Sequence, residues 1–511
     1  MSSESTETPA QQIAKGYAVQ GQALELGTVV VDDKADPTAQ IGIPLATINR
    51  HGLVAGATGT GKTKTLQVIA EQLSAAGVPV LMADVKGDLS GLSKPGESSD
   101  RIAARAKDTG DDWSPSGFPV EFLSLGTKGI GIPVRATIAS FGPILLSKVL
   151  GLNSTQESTL GLIFHWAESK QYELFNLADL RAVISHLTSD EGKADLKDLG
   201  GVSAQTAGVI LRALVNLEGE GGDTFFGEPE LDPNVLLNSD SKTPATIWLL
   251  ELGDQAARPV LFSTFLMWIL STLFRSLPEV GDIDKPKLVF FFDEAHLLFA
   301  DASKAFLDQV EQTVKLIRSR GVGVFFCTQL PTDIPNAVLS QLGARIQHAL
   351  RAFTPDDQKA LTRTVRTYPK TDVYDLASAL TSLGIGEAIV TVLSERGAPT
   401  PVAWTRLRSP RSLMAAIGDK AIEDAAKSSP LQQKYGKTVD SPSAYEKIEA
   451  EKAKAPADQP AVAGSKNAPE AAKKPGWFSR FVNSRGFQTF LKALGTELIR
   501  NMFGGGTKRR R

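Results

Sequence analysis

The stretch that decides the fold reads Gly56-Ala57-Thr58-Gly59-Thr60-Gly61-Lys62-Thr63. Its spacing, G-x-x-x-x-G-K-[ST], is that of a phosphate-binding loop, or P-loop. The glycines let the backbone curl tightly, so that its N–H groups can approach phosphate oxygens. Lys62 is expected to reach the β- and γ-phosphates of a nucleotide, and the Thr63 hydroxyl to bind Mg²⁺. These eight residues, together with Thr65, are the predicted nucleotide-binding set.

The flanking sequence supplies the strand and the helix that a P-loop requires. Before the loop, Gly52-Leu53-Val54-Ala55 is a short apolar run that predicts a buried strand. After it, apolar residues recur at helical spacing up to Gly77, which is expected to end the helix. Phosphates would then lie at a helix N-terminus. A chance match in a glycine-rich loop would lack this context, so we interpret the motif as a working P-loop.

Composition indicates a folded chain without an overall electrostatic preference for a partner. The 511 residues suffice for about two to four structural units, and the formal net charge is −2. The single cysteine, Cys327, excludes an intramolecular disulfide and fits a reducing compartment. The N-terminus has no apolar signal segment, and the most apolar helical stretch, residues 260–273, is too short to span a bilayer. The sequence therefore predicts a cytoplasmic protein.

The pattern of apolar runs predicts an α/β fold with a parallel sheet. Strand-like runs occur before residue 136 and after 244, whereas helical periodicity dominates between them. After residue 408 the composition shifts to Ala, Ser, Lys, Glu and Pro, which favours disorder. We predict six segments: an arm and hairpin-like lead-in at 1–45, the first part of the core at 46–135, a helical insertion at 136–244, the second part of the core at 245–408, a largely disordered linker at 409–475, and a basic amphipathic helix with its tail at 476–511.

Two acids form the second chemical group. Asp293 and Glu294 directly follow the apolar run Leu288–Phe292. In a P-loop enzyme, an acid at such a strand end holds Mg²⁺, a role that fits Asp293. An adjacent glutamate can polarise the attacking water, a role that fits Glu294. Alone this pattern also describes a solvated strand end, but together with the P-loop it predicts a catalytic pair.

A third feature is Thr328-Gln329, at the end of the next predicted strand. A polar side chain at this point can contact the γ-phosphate or the attacking water, and we assign this role to Gln329. The alternative is that these residues merely end a strand.

These motifs resemble those of the HerA/FtsK group of ring-forming ATPases, and more closely the HerA-like bacterial proteins. The resemblance covers about residues 20–408 and the helical tail. Besides the P-loop, it rests on Asp84-Val85-Lys86-Gly87-Asp88, Gly201-Val202-Ser203, Phe226-Gly227-Glu228-Pro229, Asp293-Glu294-Ala295-His296, Thr328-Gln329-Leu330-Pro331 and Gln347-His348-Ala349-Leu350-Arg351-Ala352-Phe353-Thr354-Pro355. It implies a RecA-type P-loop NTPase core that uses ATP and Mg²⁺ and assembles as a homo-hexameric ring.

The resemblance also implies that an arginine of the neighbouring subunit completes the site and stabilises transition-state charge. In the family this arginine precedes the strand whose end contacts the γ-phosphate, which here is the strand that ends in Thr328-Gln329. Arg318 is therefore the best match and Arg320 the second. Arg50 and Arg351 are further arginines that could face an interface, although an ordinary surface position explains both.

Other nucleotide enzymes fit the sequence less well. A two-lobed helicase needs a second RecA-like lobe, and only about 110 residues of ordered appearance follow His296. A GTPase would carry an Asn-Lys-x-Asp motif after the P-loop, which this sequence lacks.

Two functions stay open at this point. One is a translocase or helicase-like motor acting on DNA, which is what HerA is. The other is a ring ATPase that moves or remodels a protein or membrane-associated partner. The N-terminal β-barrel of HerA has no counterpart in the about 50 residues before the P-loop, and the net charge of −2 gives DNA binding no overall support. Residues 476–511 are expected to pack on the ring, to bind an anionic membrane surface or a protein partner, or to hold DNA.

Overall fold

The computed structural model describes residues 7–85, 87–127, 129–237, 243–253, 258–281 and 283–454. The predicted helix at 476–511 lies outside the described residues, as does the linker from 455 to 475. The chain up to Lys454 forms one compact unit.

Twelve strands in the described part of the chain form one sheet. In chain order they are β1 (Ala23–Val31), β2 (Lys34–Pro44), β3 (Gly52–Ala55), β4 (Val80–Asp84), β5 (Val120–Leu125), β6 (Ile132–Val134), β7 (Ile247–Glu251), β8 (Leu288–Phe292), β9 (Val322–Thr328), β10 (Ala344–Gln347), β11 (Glu387–Thr391) and β12 (Ala403–Leu407). Their order across the sheet is β2-β1-β12-β11-β10-β3-β9-β8-β4-β7-β5-β6.

The strands from β10 to β6 in this order are parallel. The remaining strands, β11, β12, β1 and β2, extend the sheet in antiparallel fashion. This mixed, mostly parallel sheet confirms the predicted α/β class.

Helices flank the sheet. Those in the described residues are α1 (Pro9–Lys15), α2 (Lys62–Ala75), α3 (Asp100–Thr109), α4 (Ile138–Val149), α5 (Ser154–Ser169), α6 (Leu177–Thr188), α7 (Ala204–Gly219), α8 (Pro259–Ser276), α9 (His296–Phe299), α10 (Lys304–Ile317), α11 (Asn336–Leu339), α12 (Pro355–Val365), α13 (Leu376–Ser382), α14 (Asp419–Ser428), α15 (Leu431–Tyr435) and α16 (Ala444–Lys454). Helices α4 to α7 lie between β6 and β7, in the segment where helical periodicity predicts an insertion. None of the described helices is long and apolar enough to cross a membrane.

The central strands β8 and β9 are buried along their whole length because both faces of the sheet are covered. Phe290 and Phe292 of β8 belong to the core shared with α4 to α8, whereas Phe291 between them belongs to the core shared with α2. Aromatic rings on the neighbouring strand continue each layer: Phe326 lies 5.4 Å from Phe292, and Phe325 lies 5.3 Å from Phe291, between ring centroids. This double burial fixes the register of β8 and β9, and therefore where each strand ends.

Residues 23–44, part of the predicted lead-in, form the two outermost strands on one side of the sheet, β2 and β1. β1 pairs with β12 on one side and β2 on the other. The two-residue turn between β1 and β2 is Asp32-Asp33, and both residues have positive φ, 49° and 61°. Such φ values suit a tight turn that follows the twist of the strands, and aspartate tolerates them better than most residues.

Residues 409–454 differ from the disordered linker that composition predicts. They contain α14, α15 and α16, whose buried side chains include Ile422, Tyr435 and Ile448, at 3%, 0% and 1% exposure. Each of these residues lies in a different helix and packs on the core. So few apolar residues in a segment rich in small and charged residues give little sign of folding in the composition.

The segment just before α14, residues 410–414, crosses the polar face of the P-loop helix and is here called the strap. Glu71 of α2 is buried, and its carboxylate accepts hydrogen bonds from the backbone N–H groups of Arg411 and Ser412, at 2.8 and 2.9 Å. Gln67 donates to Leu413 O at 3.1 Å, and Lys64 donates to Met414 O at 3.1 Å. Three side chains on one face of α2 therefore bind the backbone of the strap.

A buried histidine connects the P-loop strand to its surroundings. His51, immediately before β3, is 2% exposed. Its Nε2–H donates to Val314 O of α10 at 2.8 Å, and its Nδ1 accepts the Val324 N–H of β9 at 3.1 Å. Only the neutral ring can make both bonds. Burial lowers the pKa of His51 from 6.5 to about 4, and the nearby Arg318 charge acts in the same direction.

We therefore predict that stability falls on acidification between pH 6.5 and about 4. In this window the unfolded chain binds a proton at residue 51 that the folded chain excludes, so the free energy of unfolding rises with pH there and is fully present above 6.5. Replacing His51→Asn should lower the thermal unfolding midpoint at pH 7.5, because buried hydrogen bonds are lost, but should reduce its dependence on pH.

The measurement is the unfolding midpoint by circular dichroism from pH 4 to 7.5. The exposed His165 serves as the matched control, and His165→Asn should leave the pH profile unchanged. An unaltered profile in His51→Asn would contradict the role given to this ring.

Candidate functional site

The sheet topology brings the three predicted motifs to the carboxyl ends of neighbouring parallel strands, a side of the sheet that is here called the carboxyl edge. β3, β9 and β8 are parallel neighbours, so their carboxyl ends meet at the same side of the sheet. The P-loop leaves β3, Thr328-Gln329 ends β9, and Asp293 follows β8. Only β9 separates the P-loop strand from the strand that carries the acids, which places Gln329 between the two.

The P-loop is fixed by its neighbours through backbone hydrogen bonds. Gly56 N–H donates to Thr328 O at 3.2 Å, and Ala57 N–H donates to Ala349 O at 2.9 Å. Gly56 has φ +150°, and a Cβ at this position would lie only 2.5 Å from Cβ of His348. Glycine is therefore required here for close packing as well as for its backbone angle.

Side chains within the loop also hold its shape. The Thr60 hydroxyl donates to Ala57 O at 2.7 Å, while Thr58 and Gly59 are exposed at the tip. Lys62 Nζ donates to Gly56 O at 2.7 Å and to Ala57 O at 3.2 Å. The ammonium group thus lies against the concave side of the loop, where phosphate oxygens can replace the two carbonyl oxygens as its partners.

The first turn of α2 separates two threonines with different surroundings. Thr63 is half-buried, whereas Thr65 is 4% exposed. The Thr65 hydroxyl forms a 2.9 Å hydrogen bond with Nε2 of His348 and lies 3.3 Å from Gly61 O. Thr65, which the sequence includes among the nucleotide-binding residues, therefore lies beneath the loop and supports it through His348.

His348 is a functional neighbour that sequence reasoning includes in a motif without assigning a role. The ring is fully buried, and burial together with the charge of Lys62 lowers its pKa to about 4. The backbone of His348 also donates to Ala55 O at 2.7 Å. A neutral histidine at the end of β10 thus binds both the strand before the P-loop and the helix after it.

The acid pair occupies a tight turn after β8. Glu294 N–H donates to Asp293 Oδ1 at 2.9 Å, and Ala295 N–H donates to Cys327 O at 2.8 Å. Glu294 has φ +47°, a conformation that is strained for a non-glycine residue and that clusters at functional sites. Its Oε2 lies 3.4 Å from Nδ1 of His296, and neither atom has a hydrogen-bond partner within the described residues. The turn therefore presents a carboxylate oxygen that is not engaged in a hydrogen bond within the described residues.

Cys327 packs beneath this turn. It is 1% exposed, and burial and the Asp293 carboxylate raise the pKa of its thiol well above the usual value. The thiol is thus a protonated core group, as its apolar surroundings in the sequence predict.

The end of β9 divides its two polar residues between structure and solvent. Thr328 is fully buried, and its hydroxyl donates to Asp333 Oδ2 at 2.7 Å, an oxygen that also accepts Leu330 N–H at 3.0 Å. Gln329 is exposed at the edge of the sheet. Of the pair, Gln329 alone has a side chain that can meet a nucleotide.

Two oxygen ligands suited to Mg²⁺ lie at this edge, the Thr63 hydroxyl and the Asp293 carboxylate. Mg²⁺ prefers hard oxygen donors and usually takes its other ligands from phosphates and water. No cluster of three or more His, Cys, Asp or Glu suited to a metal occurs in the part of the chain that the structure describes. The donor set therefore fits a nucleotide-bound magnesium ion, held by one or two protein groups.

A second pair of acids lies at the same edge, on β4 and β7. Asp84 and Glu251 are register partners, and both are buried. The Asp84 carboxylate accepts Gly87 N–H at 2.7 Å and Leu89 N–H at 2.8 Å, so it shapes its own turn. Burial, with the charge of Asp84, raises the pKa of Glu251 to about 8. The pattern of apolar runs in the sequence does not indicate this pair, because Asp84 and Glu251 end strands that are far apart in the chain.

Arg318 and Arg320 lie in the turn between α10 and β9, at the amino-terminal end of β9 and thus opposite the carboxyl edge. The seven-residue β9 spans about 20 Å, so neither side chain can reach the P-loop of its own chain. Arg318 is exposed. Arg320 is half-buried, with Nη2 3.5 Å from Glu279 Oε1 and its guanidinium 5.5 Å from the ring centroid of Phe274. Of the two arginines, Arg318 therefore has the more accessible side chain.

A family model and several solved structures match this chain. The family model described as "Helicase HerA-like C-terminal" matches residues 30–510. The bacterial conjugative coupling protein TrwBΔN70 is similar in structure, with a TM-score of 0.52, 14% sequence identity, and coverage of 80% of this chain and 95% of that chain. The plasmid coupling protein TrwB in complex with the non-hydrolysable ATP analogue ADPNP gives a TM-score of 0.51, 15% identity and coverage of 80% and 95%.

A complex of TrwB with the GTP analogue GDPNP gives a TM-score of 0.51, 15% identity and coverage of 79% and 94%. At such low identity these structures show a common fold and no more. No curated protein matches the chain.

We predict that Gly56→Ala destabilises the folded chain. The added methyl group would meet His348 at 2.5 Å, between positions that backbone bonds hold in place. Overpacking of this kind costs about 1–3 kcal/mol, so the thermal unfolding midpoint should fall by about a few degrees.

Gly161→Ala is the matched control, because a Cβ at this position in α5 would have no heavy atom within 4 Å. Its midpoint should stay equal or rise, since alanine favours a helix. Equal midpoints for Gly56→Ala and the wild type would contradict the close packing of the loop on β10.

Proposed function

Because the chain belongs to the helicase HerA-like C-terminal family, we propose that it is a Mg²⁺-dependent ATPase that works as a homo-hexameric ring motor on DNA, with translocase or helicase-like activity. The observation that carries the ATPase proposal is the meeting of Lys62, Asp293 and Glu294 at one edge of the sheet, across a single intervening strand. The single cysteine, Cys327, is a free thiol, which supports a reducing, cytoplasmic setting.

Each site residue then has a defined task. The P-loop N–H groups and Lys62 bind the phosphates, with Lys62 exchanging its bonds to loop carbonyls for bonds to the β- and γ-phosphates. Thr63 and Asp293 would hold Mg²⁺, which neutralises charge on the phosphates when bound. Glu294 accepts a proton from the attacking water, and Gln329 orients that water or the γ-phosphate. Arg318 of a neighbouring subunit stabilises the charge of the transition state.

The proposal that DNA is the substrate rests on the family description, which names a helicase. The alternative is a ring ATPase that moves a protein or a membrane-associated partner, and it stays open because the net charge of −2 gives DNA binding no overall electrostatic support. The experiment that separates them is the ATPase rate of the full chain titrated with duplex DNA at 50 and 200 mM salt. A DNA motor should be stimulated, and binding should weaken steeply with salt. Absence of both stimulation and binding would favour the alternative.

Substitutions in the site should separate nucleotide binding from hydrolysis. Lys62→Ala should abolish hydrolysis mainly through lost phosphate binding. Glu294→Gln should bind ATP nearly as the wild type does but hydrolyse it about 100-fold or more slowly, because the water loses its base while shape and packing change little. Phosphate release and ATP titration calorimetry measure the two quantities.

Glu191→Gln, at an exposed position of the helical insertion, is the charge-matched control and should leave both quantities unchanged. Equal loss of ATP binding in Lys62→Ala and Glu294→Gln would contradict the roles assigned here.

Mixing two inactive variants tests the shared site. Arg318→Ala and Lys62→Ala should each be inactive, yet a mixed assembly should regain part of the activity. Some interfaces then combine an intact P-loop with an intact Arg318. The same mixture with Arg320→Ala in place of Arg318→Ala is the comparison, because Arg320 packs against Glu279 and Phe274 of its own chain. Full activity of a monomer at every concentration would contradict the ring.

A further inference from the structure

Two large apolar side chains are unusually exposed. Phe353 is 84% exposed and Ile385 is 76% exposed, whereas the next most exposed large apolar residue in the described part of the chain, Val439, reaches 55%. Exposing a phenylalanine and an isoleucine to water forgoes the free energy that their burial would give. These two side chains are therefore the most accessible large apolar groups for a ligand in the described part of the chain.

Both residues lie beside the P-loop. Phe353 is two residues beyond Arg351, whose Nη2 donates to Thr58 O at 3.4 Å. Ile385 directly precedes Gly386, whose N–H donates to Thr60 O at 3.1 Å. One contact through the Arg351 side chain and one through the Gly386 backbone thus place Phe353 near the tip of the loop and Ile385 near its end.

Local structure gives Phe353 no other use. It immediately precedes Thr354, the N-cap of α12. A hydrophobic residue at this position commonly packs against the fourth residue of the helix, but that residue is Gln358. The usual apolar contact at a helix start therefore has no partner here.

The turn that carries Ile385 is held in place on both sides. Arg105 donates to Ile385 O and to Gly386 O, both at 3.1 Å. Gly384 N–H donates to Glu387 Oε2 at 3.0 Å. The exposed side chain thus projects from a turn that these bonds fix, and it needs no rearrangement to receive a ligand.

The sheet order gives the direction of a bound nucleotide. Asp293, Glu294 and Gln329 lie on the β9 and β8 side of the P-loop strand, so the γ-phosphate must face that side. The nucleoside end then extends toward β10 and β11 on the other side. Phe353 follows β10, and Ile385 precedes β11.

We propose that Phe353 and Ile385 form an apolar platform for the base of the nucleotide whose phosphates the P-loop binds. The inference rests on the proposed ATPase function and adds a determinant of base affinity to it. Stacking on an apolar surface accepts any base, because every base has an aromatic face. The platform therefore should bind adenine and guanine nucleotides with similar affinity.

The test compares ligands with and without a base. Dissociation constants for ATP, GTP and inorganic tripolyphosphate are measured with the full chain and Mg²⁺ for the wild type, Phe353→Ala and Ile385→Ala. Each substitution should weaken ATP and GTP by roughly tenfold, the size of one lost stacking contact, and leave tripolyphosphate unchanged. Phe353→Tyr should bind ATP and GTP about as the wild type does, because it keeps an aromatic ring. Val439→Ala, exposed but remote in sequence from the P-loop contacts, is the matched control.

Other results are equally clear. If the variants lose ATP and tripolyphosphate alike, or bind ATP as tightly as the wild type, the platform is wrong while nucleotide binding by the P-loop stands. If light scattering shows that the variants change the mass of the assembly with ATP affinity intact, the two residues are a subunit contact and the platform is again overturned. A wild-type chain that binds neither ATP nor tripolyphosphate would overturn the proposed function together with the platform.

Discussion

The contact between Gly56 and His348 is the constraint on which the site depends. The histidine backbone binds the strand before the loop, its ring binds Thr65 in the helix after the loop, and its Cβ fills the space that a side chain at residue 56 would need. His348, directly after β10, therefore holds the P-loop in place without a ligand. Preorganised N–H groups bind charge well because their orientation is settled during folding and not during binding.

The central part of the fold could be predicted from the sequence, because local signals were strong there. The P-loop has to lie between a strand and a helix, β8 is apolar throughout, and β9 is apolar up to its final threonine. The joining of β1 and β2 to the sheet through β12 could not be predicted, since it depends on pairing between Gly27 and Leu407, far apart in the chain. Long-range pairing leaves no local pattern.

The same distinction applies to the site. The motif supplied Lys62 and Thr63, and the strand end supplied Asp293 and Glu294. The support of Thr65 by His348 could not be predicted, because the two residues are 283 positions apart and meet only in the folded chain. The strap could not be predicted either, since most of its bonds to Glu71, Gln67 and Lys64 use backbone groups that any sequence carries. Its one side-chain contact, through the Ser412 hydroxyl, joins residues that are 341 and 345 positions apart.

The strap gives the P-loop helix a second connection, and its position has a mechanical consequence. It binds α2 through residues 64, 67 and 71, starting one residue after Thr63, and it leads directly into α14 and the remaining C-terminal segment. The strap thus connects α14 to the first three turns of α2. At the far edge of the sheet, Arg318 lies about 20 Å from the P-loop of its own chain, as the length of β9 requires. Under the proposed function, the site would therefore respond from two directions, from its own chain through α2 and from a neighbouring subunit through Arg318. A ring motor would use such connections, because its nucleotide state has to change the contacts between one subunit and the next.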